Sequence, residues 1–576
     1  MSSTISQKAS WAALSTEIQL LILGELVCDN DCRLARLATV SRQWQYVIER
    51  HNFERIKLTI WRMPEFGPMT CRNRALIKSI WLSLELEEYE CSICEGRAVD
   101  GNGRWSRDGS DWCIIINAMR DLFWILSAWE TQPQKRLTLD ISIYSPSDSR
   151  HHFKYLTFGP DAPLDDRNPT FSNQDDPRHG WIAGKLSSAP SRQALEYVHR
   201  EILAPGEYSG VFWNEEYEKT WWQSLPEAPV VSSILFRLQN RRRFAPTAFK
   251  CMFSRLPNLE AIHYEPWRVW SPDDETETDK GNCLLLESLA PSLKNLVLFE
   301  NFDEQYSSQF LGNDNVQIAN LRTPNRSMGR AVAKASLTLQ HLSASFIIEA
   351  DHFLGVAEAE PAWSWPHLRS LTLTSRLLNT KGSPGMIDQM LLEAASVALK
   401  MPRLETFEIW NGQVGSAALF RYQTSDYGAV LSWKANWEHT IPSYVVEAWE
   451  AVAHAAGKNS SPLPLEYSVD DAIRINSHAD AINYLELFKV LRPISLQQIL
   501  AAHTARDVGL PQGLGPRPTV GHANATATDN KSSFAGKTRA KALAYYKTTT
   551  TQYYIGPARE SFVANMPFNP IERPER

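Results

Sequence analysis

The chain has 576 residues, 43% of them hydrophobic, with a formal net charge of −6. This length leaves room for several domains and the apolar share supports a large buried core, while the mild acidic balance argues against a dedicated nucleic-acid surface. No apolar run is long enough to span a bilayer, and no basic segment leads into an apolar stretch at the start, so neither a membrane span nor a signal peptide is expected. The eight cysteines then read as reduced thiols of a cytoplasmic or nuclear protein.

Residues 1–10 are polar and are expected to be disordered. From Trp11 to Leu58 the chain spells two amphipathic helices. In the first, Leu14, Ile18, Leu21, Ile22 and Leu26 recur at three- and four-residue steps. Ser15 is its expected N-cap, and Glu17 falls in the first turn, where the helix dipole favours a negative charge. Leu34, Leu37, Val40, Trp44, Val47 and Ile48 form the stripe of the second.

This stretch resembles an F-box. The family pattern is matched at Leu14, Glu17, Ile18, Ile22, Leu26, Asp31, Leu37, Val40, Ser41, Arg42 and Trp44. Ser15 replaces the family's proline. The resemblance implies docking on the Skp-type adaptor of a cullin–RING ubiquitin ligase, through Leu14, Ile18, Ile22, Leu26, Val40 and Trp44. The residues alone also fit an ordinary helical hairpin packed on the body.

Beyond it, short strands alternate with helices. Ile80, Leu82, Leu84 and Leu86 alternate, as do Leu137, Leu139, Ile141 and Ile143. Trp112–Trp129 and Ser383–Met401 read as helices, the latter with Ser383 as cap and Pro384 at its first position. A template Leu-x-x-Leu-x-Leu recurs from Leu259, Leu293, Leu339, Leu368 and Leu404, although the Leu339 copy ends in Ala344. The intervals are longer and less regular than those of leucine-rich repeats, and resemble the degenerate leucine-rich arrays behind many F-boxes. The expected fold is therefore α/β: a short N-terminal all-α F-box hairpin (11–58), then an irregular leucine-rich-repeat-like strand–helix solenoid (59–410). A compact α/β domain is the alternative. Polar stretches Glu87–Asp111, Ser145–Pro190, Glu265–Asn282 and Asn301–Ser327 read as inserts. The acidic run Asp273, Asp274, Glu275, Glu277 and Asp279 reads as a solvated loop. Arg241, Arg242 and Arg243 read as a solvated turn or, more sharply, as a contact for an acidic or phosphorylated partner.

Residues 411–510 are expected to cap the body. They comprise an aromatic hairpin at Phe420–Trp437 and helices at Ser443–Ala455, Ala479–Leu491 and Ile494–Ala502. Their wording resembles the C-terminal region of F-box proteins common in filamentous fungi. Residues 511–576 are rich in Gly, Pro, Ala, Thr, Ser and Lys and are expected to be a disordered tail.

Little points to covalent chemistry. Cys91 and Cys94 have the spacing of half a zinc site, with Cys113 and the pair His151–His152 as the nearest further ligands at no recognised spacing. No phosphate-binding glycine loop or nucleophile elbow occurs. No metal, cofactor or enzymatic activity is expected. By the resemblance, the chain is the substrate-recognition subunit of a ubiquitin ligase. The other readings are a non-ligase F-box scaffold and an enzyme with a site in the inserts. Between the repeat leucines, Ala261, His263, Asn295, Val297, Ser370, Thr372, Thr406 and Glu408 are expected to face outward on the concave strand side. His263, Tyr264, Trp267, Phe299 and Trp410, at or just past strand ends, are the expected contacts for a protein substrate.

Overall fold

The computed structural model describes residues 11, 14–28, 34–89, 110–130, 136–161, 175–188, 190–191, 194, 215–269, 272–303, 322–323, 325–426, 428–458 and 462–505. The expected disordered stretches 1–10 and 511–576, and Cys91 and Cys94, lie outside these residues.

Each Leu-x-x-Leu-x-Leu copy folds in the same way. Its first leucine closes a tight turn, with the amides of Leu259, Leu293, Leu339, Leu368 and Leu404 each donating to the carbonyl three residues back, at 3.0–3.4 Å. Two residues later a strand begins, and the second and third template positions point to one side because successive side chains alternate. The strands so formed are β7 (Ala261–Tyr264), β8 (Asn295–Phe299), β9 (His341–Ser345), β10 (Ser370–Thr374) and β11 (Thr406–Gln413). They are preceded in the sheet by β1 (Arg55–Thr59), β2 (Ser79–Glu85), β3 (Leu137–Tyr144) and β6 (Val231–Phe236), and followed by β12 (Ser416–Ser425), β13 (Gly428–Ala435) and β14 (Leu465–Val469). A separate two-stranded ribbon is made of β4 (Trp181–Ile182) and β5 (Lys185–Leu186).

The fold is thus mixed α/β around one large, mostly parallel sheet of 12 strands whose spatial order is their order in the chain. Pairing is parallel throughout except at β11–β12–β13, which form an antiparallel meander. Gly415, at φ 80°, turns β11 into β12 in a conformation that an L side chain resists. In register, Ile56, Ile80, Leu139, Ile234 and Ile262 line up across β1 to β7. The row continues through Leu296, Leu342, Leu371 and Phe407. This row and its neighbours pack on helices laid side by side in chain order: Glu215–Ser224, Pro246–Phe253, Pro272–Glu287, Arg326–Ala335, Ala350–Ala359, Pro384–Ala398 and Ser443–Ala455. The interface is the main core, running unbroken from Ile56 to Leu463. Crossovers of one hand between successive parallel strands place their helices on one face of a sheet.

Several elements differ from the reading of the sequence. The expected second helix of the hairpin is broken into Leu34–Leu37 and Arg42–Glu54. Thr39 bonds its hydroxyl to the Arg36 carbonyl, and extended Ser41 caps the next helix by accepting from the Trp44 amide at 3.3 Å. The acidic run is not a solvated loop. It lies in the helix Pro272–Glu287, with Glu275 and Asp279 buried. Arg322 pairs with Asp279 and Glu300, and the Thr323 amide donates to Glu275 at 2.9 Å. The helix expected over Ala479–Leu491 spans only His478–Leu485, because Glu486 turns left-handed at φ 60°. The sheet also runs without interruption across residues 410 and 411, inside β11.

A second, smaller apolar core lies past the strand C-terminal ends. There Phe153, Tyr155, Leu156 and Trp181 meet Trp267, Phe299, Trp410 and the helices His478–Leu485 and Pro493–Thr504.

Candidate interaction surfaces

The N-terminal hairpin is built on the helix Thr16–Cys28. Ser15 starts it, its hydroxyl accepting from the Ile18 amide at 3.4 Å. Hydrogen bonds from its own backbone amide and from Ser15 hold the Glu17 carboxyl below its ordinary range. The helix carries apolar residues on two faces. Leu23 and Val27 are buried, whereas Ile18, Leu21 and Ile22 are 46%, 70% and 44% exposed. Those three, with partly buried Leu14 one turn earlier, lie at the i, i+3, i+4 spacing of one helix face. Val40, at the break before the next helix, is 60% exposed. Leu26 and Trp44 are partly buried, and the Trp44 ring packs 5.5 Å from that of Trp11. Leu20, off that spacing, is also 43% exposed; exposed apolar residues taken singly are ordinary on a protein surface. The helix Arg42–Glu54 then runs directly into β1, with surface ion pairs Arg72–Glu49 and Lys78–Glu54 beside the junction.

The strand C-terminal edge is closed. The structure brings His263, Tyr264, Trp267, Phe299 and Trp410 to that edge, but none stands free on it. Phe299 and Trp410 are fully buried and Trp267 nearly so, all in the second core. Phe346 wedges between Phe299 and Trp410, at 5.6 and 5.0 Å between ring centroids. His263 is buried against Glu265 at 2.7 Å, and Tyr264 packs edge-on to Phe249 in the main core. Burial pushes the Tyr264 phenol up to about 12. Glu265 also accepts from the Leu238 and Arg492 amides, at 2.9 and 2.7 Å, and from Ser495. The C-terminal helices thereby cover the edge expected to meet a substrate. The covering was missed because each aromatic, taken alone, fits an anchor or a core residue equally well.

The strand face opposite the helices is open only in part. Along one register row, Ala261, Asn295, Ser370 and Thr406 remain partly exposed and His341 is exposed. In the next row Val297 and Glu408 are partly exposed, while His263 and Thr372 are buried. Thr372 donates to Glu408 at 2.8 Å, and Arg421 holds Glu408 at 2.7 Å. Of the eight positions expected to face outward, only His263 and Thr372 are buried; the other six stay partly exposed.

The arginine run does not form a solvated turn. Arg241 and Arg242 are buried, Arg243 is partly so, and Arg242 pairs with Asp148 at 3.0 Å. Among the described residues no group of three or more His, Cys, Asp or Glu side chains is arranged to hold a metal ion. Of the histidine pair, His152 is buried, and His151 and His152 pack on His179. Burial and the neighbouring His179 lower both, to about 4. Among the described residues no helix is long and apolar enough to cross a membrane.

Residues 288–492 match a family of unknown function, DUF6546. The match covers less than half of the chain, from just before β8 to just before the helix Pro493–Thr504, and does not reach the hairpin. No curated protein matches the chain.

Proposed function

We propose that the protein is the substrate-recognition subunit of a cullin–RING (SCF-type) ubiquitin ligase, with an F-box hairpin for the Skp-type adaptor and a leucine-rich-repeat-like solenoid for a protein substrate. In this role it does no covalent chemistry but raises the local concentration of a target beside the ubiquitin-carrying enzyme. The observation that carries the reading is the exposed stripe Ile18, Leu21 and Ile22, together with exposed Val40. These residues fall within a segment that resembles the F-box at both of its halves. Support for the repeat array comes from the identical turn before each template leucine and from strands that follow chain order. The substrate surface is assigned to the open N-terminal half of the strand face, around Asn295, His341, Ser370 and Thr406, in place of the covered C-terminal edge. The proposed site of action is the cytoplasm or nucleus.

Affinity purification of the tagged chain tests the reading. Adaptor and cullin should co-purify. Changing Ile18 and Ile22 to Ala should remove both, costing roughly 2–5 kcal/mol if both side chains are buried at the contact. Both residues are half exposed, so the variant should keep its fold. Adaptor recovery unaffected by the double change would refute the assignment. Adaptor without cullin would favour a non-ligase F-box assembly.

A further inference from the structure

β14 ends the sheet, and only its inner side is paired, in parallel with β13. The Leu431 amide donates to the Pro464 carbonyl at 2.9 Å, and the Asp470 amide donates to the Ala435 carbonyl at 3.1 Å. Along a strand, the amide and carbonyl of one residue point to one side and those of the next residue to the other. The backbone of Glu466 and Ser468 is therefore turned to β13, and that of Leu465, Tyr467 and Val469 points outward. Among the described residues, no hydrogen bond is made to these outward groups. Open edges of this kind are ordinarily blunted by Lys, Pro, a bulge or a covering segment. β1, at the other end of the sheet, is blunted: it carries Arg55 and Lys57, and Arg62 donates to the Lys57 carbonyl at 2.7 Å. β14 is not. Its sequence, Leu-Glu-Tyr-Ser-Val, has neither Lys nor Pro, its register with β13 is unbroken, and four of its five residues are exposed.

The side chains of Leu465, Tyr467 and Val469 share one face. Leu465 packs on the main core, so this face looks toward the helix Ser443–Ala455. Tyr467 and Val469 are 47% and 39% exposed on it. The Tyr467 hydroxyl accepts from the Ile441 amide at 2.9 Å, which fixes the ring just before that helix. The outward backbone groups are symmetric about Tyr467. We propose that β14 pairs antiparallel with β14 of a second copy of this chain, about a two-fold axis at Tyr467, joining the two sheets edge to edge. In that register Tyr467 lies opposite Tyr467 of the second copy, Leu465 opposite Val469, and Glu466 opposite Ser468. Each outward amide then meets an outward carbonyl, no charge lies directly opposite a like charge, and the exposed Tyr and Val side chains cover one another. The edge is thus its own complement, as a closed two-fold dimer requires. An extended segment of an unrelated protein would find the same backbone groups but not this side-chain match. Pairing of β14 with β1 of another copy is opposed by Arg55, Lys57 and Arg62.

The test is sedimentation velocity of the full chain, from low micromolar to several hundred micromolar concentration. A reversible monomer–dimer equilibrium is expected, and a weak one, because a strand of five residues makes a small interface. Val469→Pro removes an outward amide and leaves the bonds to β13 in place, as proline at an edge strand can. It should raise the dimer dissociation constant roughly ten- to hundredfold, the worth of one hydrogen bond lost from each copy. Val469→Lys keeps the amide, adds the charge that blunts natural edges, and covers the case in which the proline variant misfolds. It should also weaken the dimer, with the circular dichroism of the wild type. A chain ending after Leu510 should dimerise as the full chain does. The proposal is overturned if the full chain stays monomeric throughout, or if either Val469 variant folds and dimerises as well as wild type. Species larger than a dimer would mean head-to-tail pairing and would overturn it too. So would a dimer gained or lost on truncation after Leu510, which would place the chain's own C-terminal segment on the edge.

Discussion

Glu349 stands just before the helix Ala350–Ala359 and accepts the Arg376 amide at 3.0 Å. Burial pushes its carboxyl up to about 7. The folded protein therefore binds this proton more tightly than the unfolded chain. The associated stability is fully present below the unfolded value of 4.5 and is lost as pH rises through about 7. Glu349→Gln keeps an acceptor for the amide and removes the ionisation. It should stabilise the protein by roughly 1–3 kcal/mol at pH 8, and much less near pH 5, in urea unfolding. An equal effect at both pH values would show that the carboxyl is not titrating in this window. Nothing in the local sequence marks the carboxyl of half-buried Glu349 as desolvated, and nothing marks Glu275, Asp279 or the arginine run as buried. A charge run reads as solvated by default, and what overrules it here is a partner far along the chain. Arg322, which neutralises Asp279, is 43 residues away. Periodicity carries no trace of such a pairing.

Secondary elements were legible where a local signal fixed them. Each template leucine brings its own turn bond, so the strands from β7 to β11 could be placed from the sequence alone. Pro384 at the first position of its helix and the aromatic alternation of β12 and β13 worked in the same way. By contrast, β14 has four exposed residues out of five, so it lacks the alternation that announces a strand. It exists because β13 offers a free edge for parallel pairing. The last helix, Pro493–Thr504, could be read as a helix within an expected cap, but not which edge of the body that cap covers. It is fixed by Ser495 on Glu265 and Gln498 on the Thr157 carbonyl, and is flanked by Arg492 on Asp161. A chain ending after Leu491 should expose Trp267 and its neighbours in the second core and lose several kcal/mol, since each large core side chain left uncovered forfeits roughly 1.5–3 kcal/mol. A chain ending after Leu510 should melt as the full chain does, because the composition beyond it supports no core. Thermal unfolding of the two truncations checks this. Equal melting of both would mean that the C-terminal helix adds nothing to the body.

At the scale of the molecule, the buried apolar residues fall into separate units. The main core begins at Ile56 and the second core lies past the strand ends, and neither includes Leu23, Val27 or Ile48 of the hairpin. The hairpin therefore stands apart from both cores and meets the body where helix Arg42–Glu54 runs into β1, with Phe53 packed on the main core and the ion pairs Arg72–Glu49 and Lys78–Glu54 beside it. A docking element built this way can present an apolar stripe to a partner without drawing on the cohesion of the sheet. The prediction is that removing residues 1–40, while keeping Ser41 as the cap of the next helix, leaves the body folded. The Ser41 hydroxyl would still accept the Trp44 amide, and β1 would keep its parallel pairing from Arg55↔Ser79 to Thr59↔Ser83. Circular dichroism should lose only the signal of the helices Thr16–Cys28 and Leu34–Leu37, and the melting midpoint should shift by no more than a few degrees, as for a surface change of under about 1 kcal/mol. Recovery of the adaptor in purification should vanish, while proteins bound through the strand face should still be recovered. A body that aggregates or melts much earlier would show that the hairpin completes the fold, and its exposed stripe would then have to be read as part of the body's own architecture.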